Sequence, residues 1–261
     1  MTNKLFKTGK LYIGNLENKF TNNKIVNFSP LLINLLDLCI DYVKSNINTE
    51  YLHSIYVRGS CLDGNIKNKN IFDLDINVVF KDDTYRHELL NQEHKEKIRK
   101  KMQKLYNFSI HPDIAYFSIP LWVTDQNCYI NRFFAKKIYG EEDLSLTEID
   151  LNKLLEFYRV IFDYDFNYFM EVNLIKDKND TLRIIKRFYR SFGIIELLNN
   201  KMYSRDIYYC HNILIKNYPK HENALNEIIN IFLNPKDCNN LEKYKSTINT
   251  LYHQICQTMK V

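Results

Sequence analysis

The stretch Ser54–Phe80, S-I-Y-V-R-G-S-C-L-D-G-N-I-K-N-K-N-I-F-D-L-D-I-N-V-V-F, constrains this chain most. The apolar run Ile55–Val57 leads into Gly59-Ser60, a polar loop follows, and Asp73-x-Asp75 then lies inside a second apolar run. Residues two apart on a strand project to one face. Asp73 and Asp75 therefore point together, while Leu74, Ile76, Val78 and Phe80 fill the other face. Two close carboxylates repel and raise each other's pKa unless a cation lies between them. Hard carboxylate oxygens suit Mg²⁺. Asp113 opens the next strand-like run and is placed to add a third carboxylate. Gly59 permits close approach to the backbone, and Ser60 adds a hydroxyl donor. Together they can hold a phosphate. Arg58, just before them, either joins that contact or faces solvent. The combination points to nucleoside triphosphate and metal chemistry. The competing reading is a chance meeting of turn residues and exposed acids.

Around this stretch the pattern predicts an α+β fold. Ser29-Pro30 reads as a helix cap and first helical residue. Leu32, Leu35, Leu36, Cys39 and Val43 then recur at helical spacing, which predicts a helix over 30–46. Strands are expected at about 53–58, 72–80 and 113–119, the last closed by Pro120, with a mobile-looking Asn/Lys-rich loop over 61–71. Residues 86–106 read as a charged surface helix. Further helices are expected at 129–139, 147–172, 180–199, 204–217, 221–233 and 239–259. Gly140, Asn199-Asn200 and Pro219 serve as stops. Residues 1–28 read as a loose arm or a short strand around Leu11-Tyr12-Ile13. The expected organisation is a mixed sheet flanked by helices in a domain over 1–140, then a helical bundle over 141–261.

Composition excludes some classes. With 261 residues, the chain can bury a sizeable core. The net charge of +5 suits a polyanionic ligand such as a triphosphate or RNA and demands neither. The cysteines (Cys39, Cys61, Cys128, Cys210, Cys238 and Cys256) form no C-x-x-C pair, which argues for free thiols in a reducing cytoplasm. Cys210-His211 and His253-x-x-Cys256 lack a second half at zinc spacing. No continuous apolar signal region or membrane span is present, so a cytoplasmic protein with no membrane partner is expected.

On these residues the chain resembles the nucleotidyltransferase superfamily with the polymerase-β-like fold. Its signature is Gly-Ser, then D-x-D on the next strand, then a later acid. The matching residues are Gly59, Ser60, Asp73, Asp75 and Asp113. The second half resembles the helical domain of aminoglycoside adenylyltransferases of the streptomycin/spectinomycin type. It does so through T-L-R-I-I-K-R-F-Y-R-S-F-G (181–193) and M-Y-S-R-D-I-Y-Y-C-H-N-I-L-I-K-N-Y-P (202–219), and F-F-A-K-K-I-Y-G-E-E-D-L (133–144) resembles that family's segment joining the two domains. Ser204-Arg205 stands where that family has Ser-Lys. The resemblance implies transfer of AMP from ATP to a hydroxyl of a small acceptor. Asp73, Asp75 and Asp113 would then be catalytic residues and metal ligands, holding two Mg²⁺ ions.

The remaining candidates lie in the second half. Arg183, Lys186, Arg187 and Arg190 share one helix face. They form either a solvated charged face or, with Arg205, a cationic surface for the β- and γ-phosphates of a leaving pyrophosphate. The run F-D-Y-D-F-N-Y-F-M-E (162–171) brings Asp163 and Asp165 among aromatics, where they and Trp122 could receive a cationic aminosugar. Ordinary helix core with surface charge is the other reading. RNA or a protein side chain is the alternative acceptor, a non-catalytic binding module a third possibility, and a monomer or small homo-oligomer the expected state.

Overall fold

A computed structural model describes residues 4–7, 9–22, 28–59, 62, 71–83, 96–97, 100–101, 104, 109–171, 178–234 and 241–259. In chain order its elements are β1 (Tyr12–Ile13), β2 (Lys19–Thr21), α1 (Pro30–Asn46), β3 (Leu52–Arg58), β4 (Ile71–Phe80), β5 (Ser109–Ser118), α2 (Ile119–Thr124), α3 (Gln126–Phe134), β6 (Lys136–Gly140), β7 (Glu148–Asp150), α4 (Leu151–Glu171), α5 (Lys178–Asn199), β8 (Met202–Tyr203), α6 (Ile207–Asn217), α7 (Glu222–Leu233) and α8 (Lys245–Thr258). They form two compact units. One is Asn22–Ile149; the other joins Met1–Thr21 to Asp150–Val261.

The first unit is built on a mixed sheet in the order β5-β4-β3-β6. β3 runs antiparallel to β4 and β6, and β4 runs parallel to β5. α1 begins where the sequence predicts, because the Ser29 side chain accepts the Leu32 N–H and Pro30 needs no donor partner in the first turn. Its stripe of Leu32, Leu35, Leu36, Cys39 and Val43 packs on Ile55, Val57, Leu74, Ile76, Val78, Phe80 and Ile114. Each fully buried large aliphatic side chain contributes about 2 kcal/mol to that contact. The opposite sheet face is apolar only at one end, where Tyr56 and Val79 pack with Trp122 and Cys128.

Several boundaries in this unit differ from the sequence reading. β5 starts at Ser109, and Pro120 opens α2 instead of merely closing a strand, with Ser118 accepting the Leu121 N–H as its cap. α3 ends at Phe134, and the expected last turn is the edge strand β6. Gly140 ends that strand at φ +104, and a Cβ there would lie 2.2 Å from the His53 carbonyl oxygen. It is a close-approach glycine on β3, not a helix stop. The expected loop over 61–71 and helix over 86–106 fall almost entirely outside the described residues.

The second unit is helical around α5. Ile184, Ile185, Phe188, Tyr189, Phe192, Ile194, Ile195, Leu197 and Leu198 are all buried. α6 starts at Ile207, later than expected, because Asp206 caps it by accepting the Tyr208 N–H. β1 pairs antiparallel with β8, Tyr12 opposite Tyr203 and Ile13 opposite Met202. The first residues thus belong with the helices near 200, not with the sheet that follows them in sequence. No helix among the described residues is long and apolar enough to cross a membrane.

Candidate active site

β4 carries the site because its two faces diverge. Leu74, Ile76, Val78 and Phe80 enter the α1 core. On the reverse face the sequence runs Val79, Asn77, Asp75, Asp73, and burial decreases along it. Val79 and Asn77 are fully buried, Asp75 is half-buried and Asp73 is exposed. The parallel register places Asp75 opposite Asp113 and Asp73 opposite His111. Paired residues on adjacent strands share a face, so Asp73, Asp75 and Asp113 occupy one polar corner of the sheet. Asp113 is exposed there. Their oxygens are the donor chemistry that Mg²⁺ prefers. Among the described residues no three His, Cys, Asp or Glu side chains are gathered closely enough to hold a metal as they stand.

Arg58 and Gly59 close this corner from β3. Arg58 is the register partner of Asp75. Gly59 adopts φ +84, and a Cβ on it would lie 2.0 Å from Asp75 Oδ2. Any side chain at 59 would therefore take the space of the Asp75 carboxylate, which explains in physical terms why glycine follows this strand. Ser60 lies outside the described residues. The sequence reading missed Asn77. Its Oδ1 accepts a hydrogen bond from Arg58 Nε at 3.4 Å, and its buried Nδ2 has no hydrogen-bond partner among the described residues. The signal was available in D-L-D-I-N, where Asn77 continues the two-residue spacing of the acids inward.

The helical unit sorts the other candidates. Asp165 is buried, and both Nε and Nη2 of Arg187 donate to its Oδ1. Burial pushes the Asp165 carboxyl upward in pKa, and the Arg187 hydrogen bonds oppose that. The Arg187 guanidinium also lies 5.1 Å from the Tyr164 ring and 4.9 Å from the Tyr168 ring. Arg190 is half-buried and donates from Nε to the Arg205 carbonyl at 3.0 Å. Burial and then the charge of Arg205 lower its pKa to about 10. Lys186 is exposed and Arg205 half-buried. Asp163 is exposed and accepts the Tyr252 hydroxyl at 2.8 Å.

Trp122 corrects an expectation. It is completely buried, stacked on Tyr56 at 5.4 Å between ring centroids and tilted against Phe117 at 5.0 Å. It offers no ring face to a dissolved acceptor and belongs to the core behind the sheet. Asp165, with its charge committed to Arg187, is likewise not presented to an aminosugar.

The architecture is α+β, with a mixed four-stranded sheet and its helices in one unit and a helical bundle in the other. Among solved structures, the chain is similar to the spectinomycin adenyltransferase AAD(9) from Enterococcus faecialis with ATP and spectinomycin. The TM-score is 0.52 at 16% identity, covering 85% of this chain and 98% of that one, and the likeness is one of fold. A toxin–antitoxin structure with AMP-PNP overlaps less, with a TM-score of 0.28 at 19% identity over 49% of this chain and 85% of that one, too loose to carry an argument. No protein-family model matches the sequence, and no curated protein matches it either.

Proposed function

We propose that this chain is a Mg²⁺-dependent nucleotidyltransferase that moves AMP from ATP to a hydroxyl of a small, aminoglycoside-like acceptor, releasing pyrophosphate. The observation that carries the reading is the register of Asp75 with Asp113, beside Asp73, under a glycine turn that leaves room only for the Asp75 carboxylate. The acceptor oxygen bonds to the α-phosphorus as the bond to the bridging oxygen breaks, and that oxygen's electron pair leaves with pyrophosphate. Asp113 takes the hydroxyl proton as general base. Mg²⁺ held by Asp73, Asp75 and Asp113 would supply neutralising charge at the triphosphate. Gly59 lets the backbone approach the phosphates, and Ser60 and Arg58 hold them. ATP and a small acceptor as the two substrates are supported by the fold shared with AAD(9), whose structure contains ATP and spectinomycin.

A second reading keeps this chemistry and makes RNA or a protein side chain the acceptor. Two observations favour it: Trp122 is buried, and Asp165 is paired with Arg187. Each removes one candidate contact for a cationic sugar. The test is incubation with labelled ATP and Mg²⁺ plus streptomycin, spectinomycin, tRNA or bulk protein. Label on an aminoglycoside-type compound supports the first reading. Label on tRNA or protein alone selects the second, and label on nothing removes both.

A further inference from the structure

We propose that Asn77 is a positioning residue of the acidic corner, whose buried side-chain amide fixes the Arg58 guanidinium so that it meets the polyphosphate of the ligand. This rests on the reading of Arg58 as a phosphate contact. Every residue involved lies within the sheet unit. Asn77 shares the β4 face of Asp73 and Asp75, one strand repeat further inward. Arg58 ends β3 as the register partner of Asp75, and Tyr56 is the partner of Asn77. Arg58 is therefore the diagonal neighbour of Asn77, a separation that a long side chain spans. Its Nε donates to Asn77 Oδ1 at 3.4 Å. Arg58 is half-buried and Asn77 completely enclosed, so an inner fixed point holds an outer charge.

Packing alone does not explain an asparagine here. Its Nδ2 has no hydrogen-bond partner among the described residues. On the β3 side the Tyr56 hydroxyl accepts the Leu144 N–H at 2.8 Å, and the Tyr56 ring stacks on Trp122. On the β5 side the register partner is Ala115, which has no polar side-chain atom. Further inward on the same face stands Val79. A buried donor left unmet destabilises a fold, and a leucine of the same branched shape would carry no such penalty. What distinguishes the amide is its oxygen, which receives a charged donor, and such hydrogen bonds are stronger than those between neutral groups. A carboxylate at 77 would grip Arg58 harder but cancel its charge. An aliphatic side chain would leave the charge but not fix it. An amide does both, and a planar guanidinium held in one orientation is what recognition of phosphate oxygens requires.

The test reads affinity and the Arg58 proton together on the full chain. Binding of ATP with Mg²⁺, and of inorganic tripolyphosphate with Mg²⁺, is measured by calorimetry, with thermal midpoints recorded so that folded chains are compared. The Arg58 Nε–H is followed by nitrogen-correlated NMR and assigned by its disappearance in Arg58→Ala. Asn77→Leu should bind both ligands about fivefold more weakly, the size of one lost hydrogen bond. Its Arg58 Nε–H should exchange with water faster than in the wild type. In an Arg58→Ala background, Asn77→Leu should change binding no further. Asn77→Ala removes the same bond without demanding space, and gives the same two readings where Asn77→Leu fails to fold. Wild-type affinity in a folded Asn77 variant, an unchanged Arg58 exchange rate, or an equal loss with and without Arg58 overturns the proposal while leaving the nucleotide site standing. A wild-type chain that binds neither ligand overturns the nucleotide reading and the proposal with it.

Discussion

At the scale of single residues, Gly59 is the sharpest point of the structure. Its left-handed backbone costs a residue with a Cβ about 1–2 kcal/mol. Its second constraint is the Asp75 carboxylate, 2.0 Å from where that Cβ would stand. Gly59→Ala should therefore lower the unfolding free energy by about 1–2 kcal/mol in a denaturant titration. It should reduce AMP transfer by about 100-fold, because displacing a reacting group by an ångström has that effect. Gly59 and the three acids were legible in the sequence because strand alternation alone puts Asp73 and Asp75 on one face. Trp122 was not. A lone tryptophan two residues after a proline reads the same whether it is buried or exposed, and only the packing of Tyr56 and Phe117 around it decides. Asp165 and Arg187 were each visible, but their pairing depends on how α4 and α5 lie together, and no local pattern encodes that.

At the scale of elements, the helices were legible where caps and stripes coincide. α1 is the clearest case, with Ser29, Pro30 and an apolar stripe all agreeing. β6 was illegible because Lys136–Gly140 earns its strand geometry from β3, a partner distant in sequence. α6 carries a pH-dependent feature. His211 is buried against the Tyr189 ring, and burial pulls its pKa from the ordinary 6.5 down to about 4, opposed by a hydrogen bond with Asn226. The neutral ring is the form that folds. Above pH 6.5 both folded and unfolded chains carry it neutral, and the group has no pH effect. As pH falls from about 6.5 to about 4, only the unfolded chain takes up the proton, so stability declines and then levels off. The loss over that window is on the order of 3 kcal/mol. Urea titrations from pH 7 to pH 4 should show that decline in the wild type and lose that share of it in His211→Gln. Parallel curves for the two proteins would contradict the assignment.

At the scale of the whole molecule, the chain does not divide simply into a first half and a second half. The sequence reading divides it at residue 140, following the change from strands to helices. In the structure, residues 1–21 join the helical unit through β1 and β8, and the sheet unit runs from Asn22 to Ile149. A short strand pairing across most of the chain leaves no trace in local composition, which is why the N-terminal segment read as an arm. What composition did convey was coarse: enough apolar residues for two cores and a mild positive charge suited to polyphosphate.

The central claim is that the acidic corner of the sheet performs nucleotidyl transfer. It is tested most directly by incubating the chain with Mg²⁺, a candidate acceptor and ATP labelled at the α-phosphate, beside Asp73→Ala and Asp75→Ala. Both acids lie at the solvent-facing end of β4, so both variants should fold with near wild-type thermal midpoints. The wild type should place the label on the acceptor and release unlabelled pyrophosphate, and neither variant should do so. Label transfer by a folded Asp75→Ala at the wild-type rate would contradict the account.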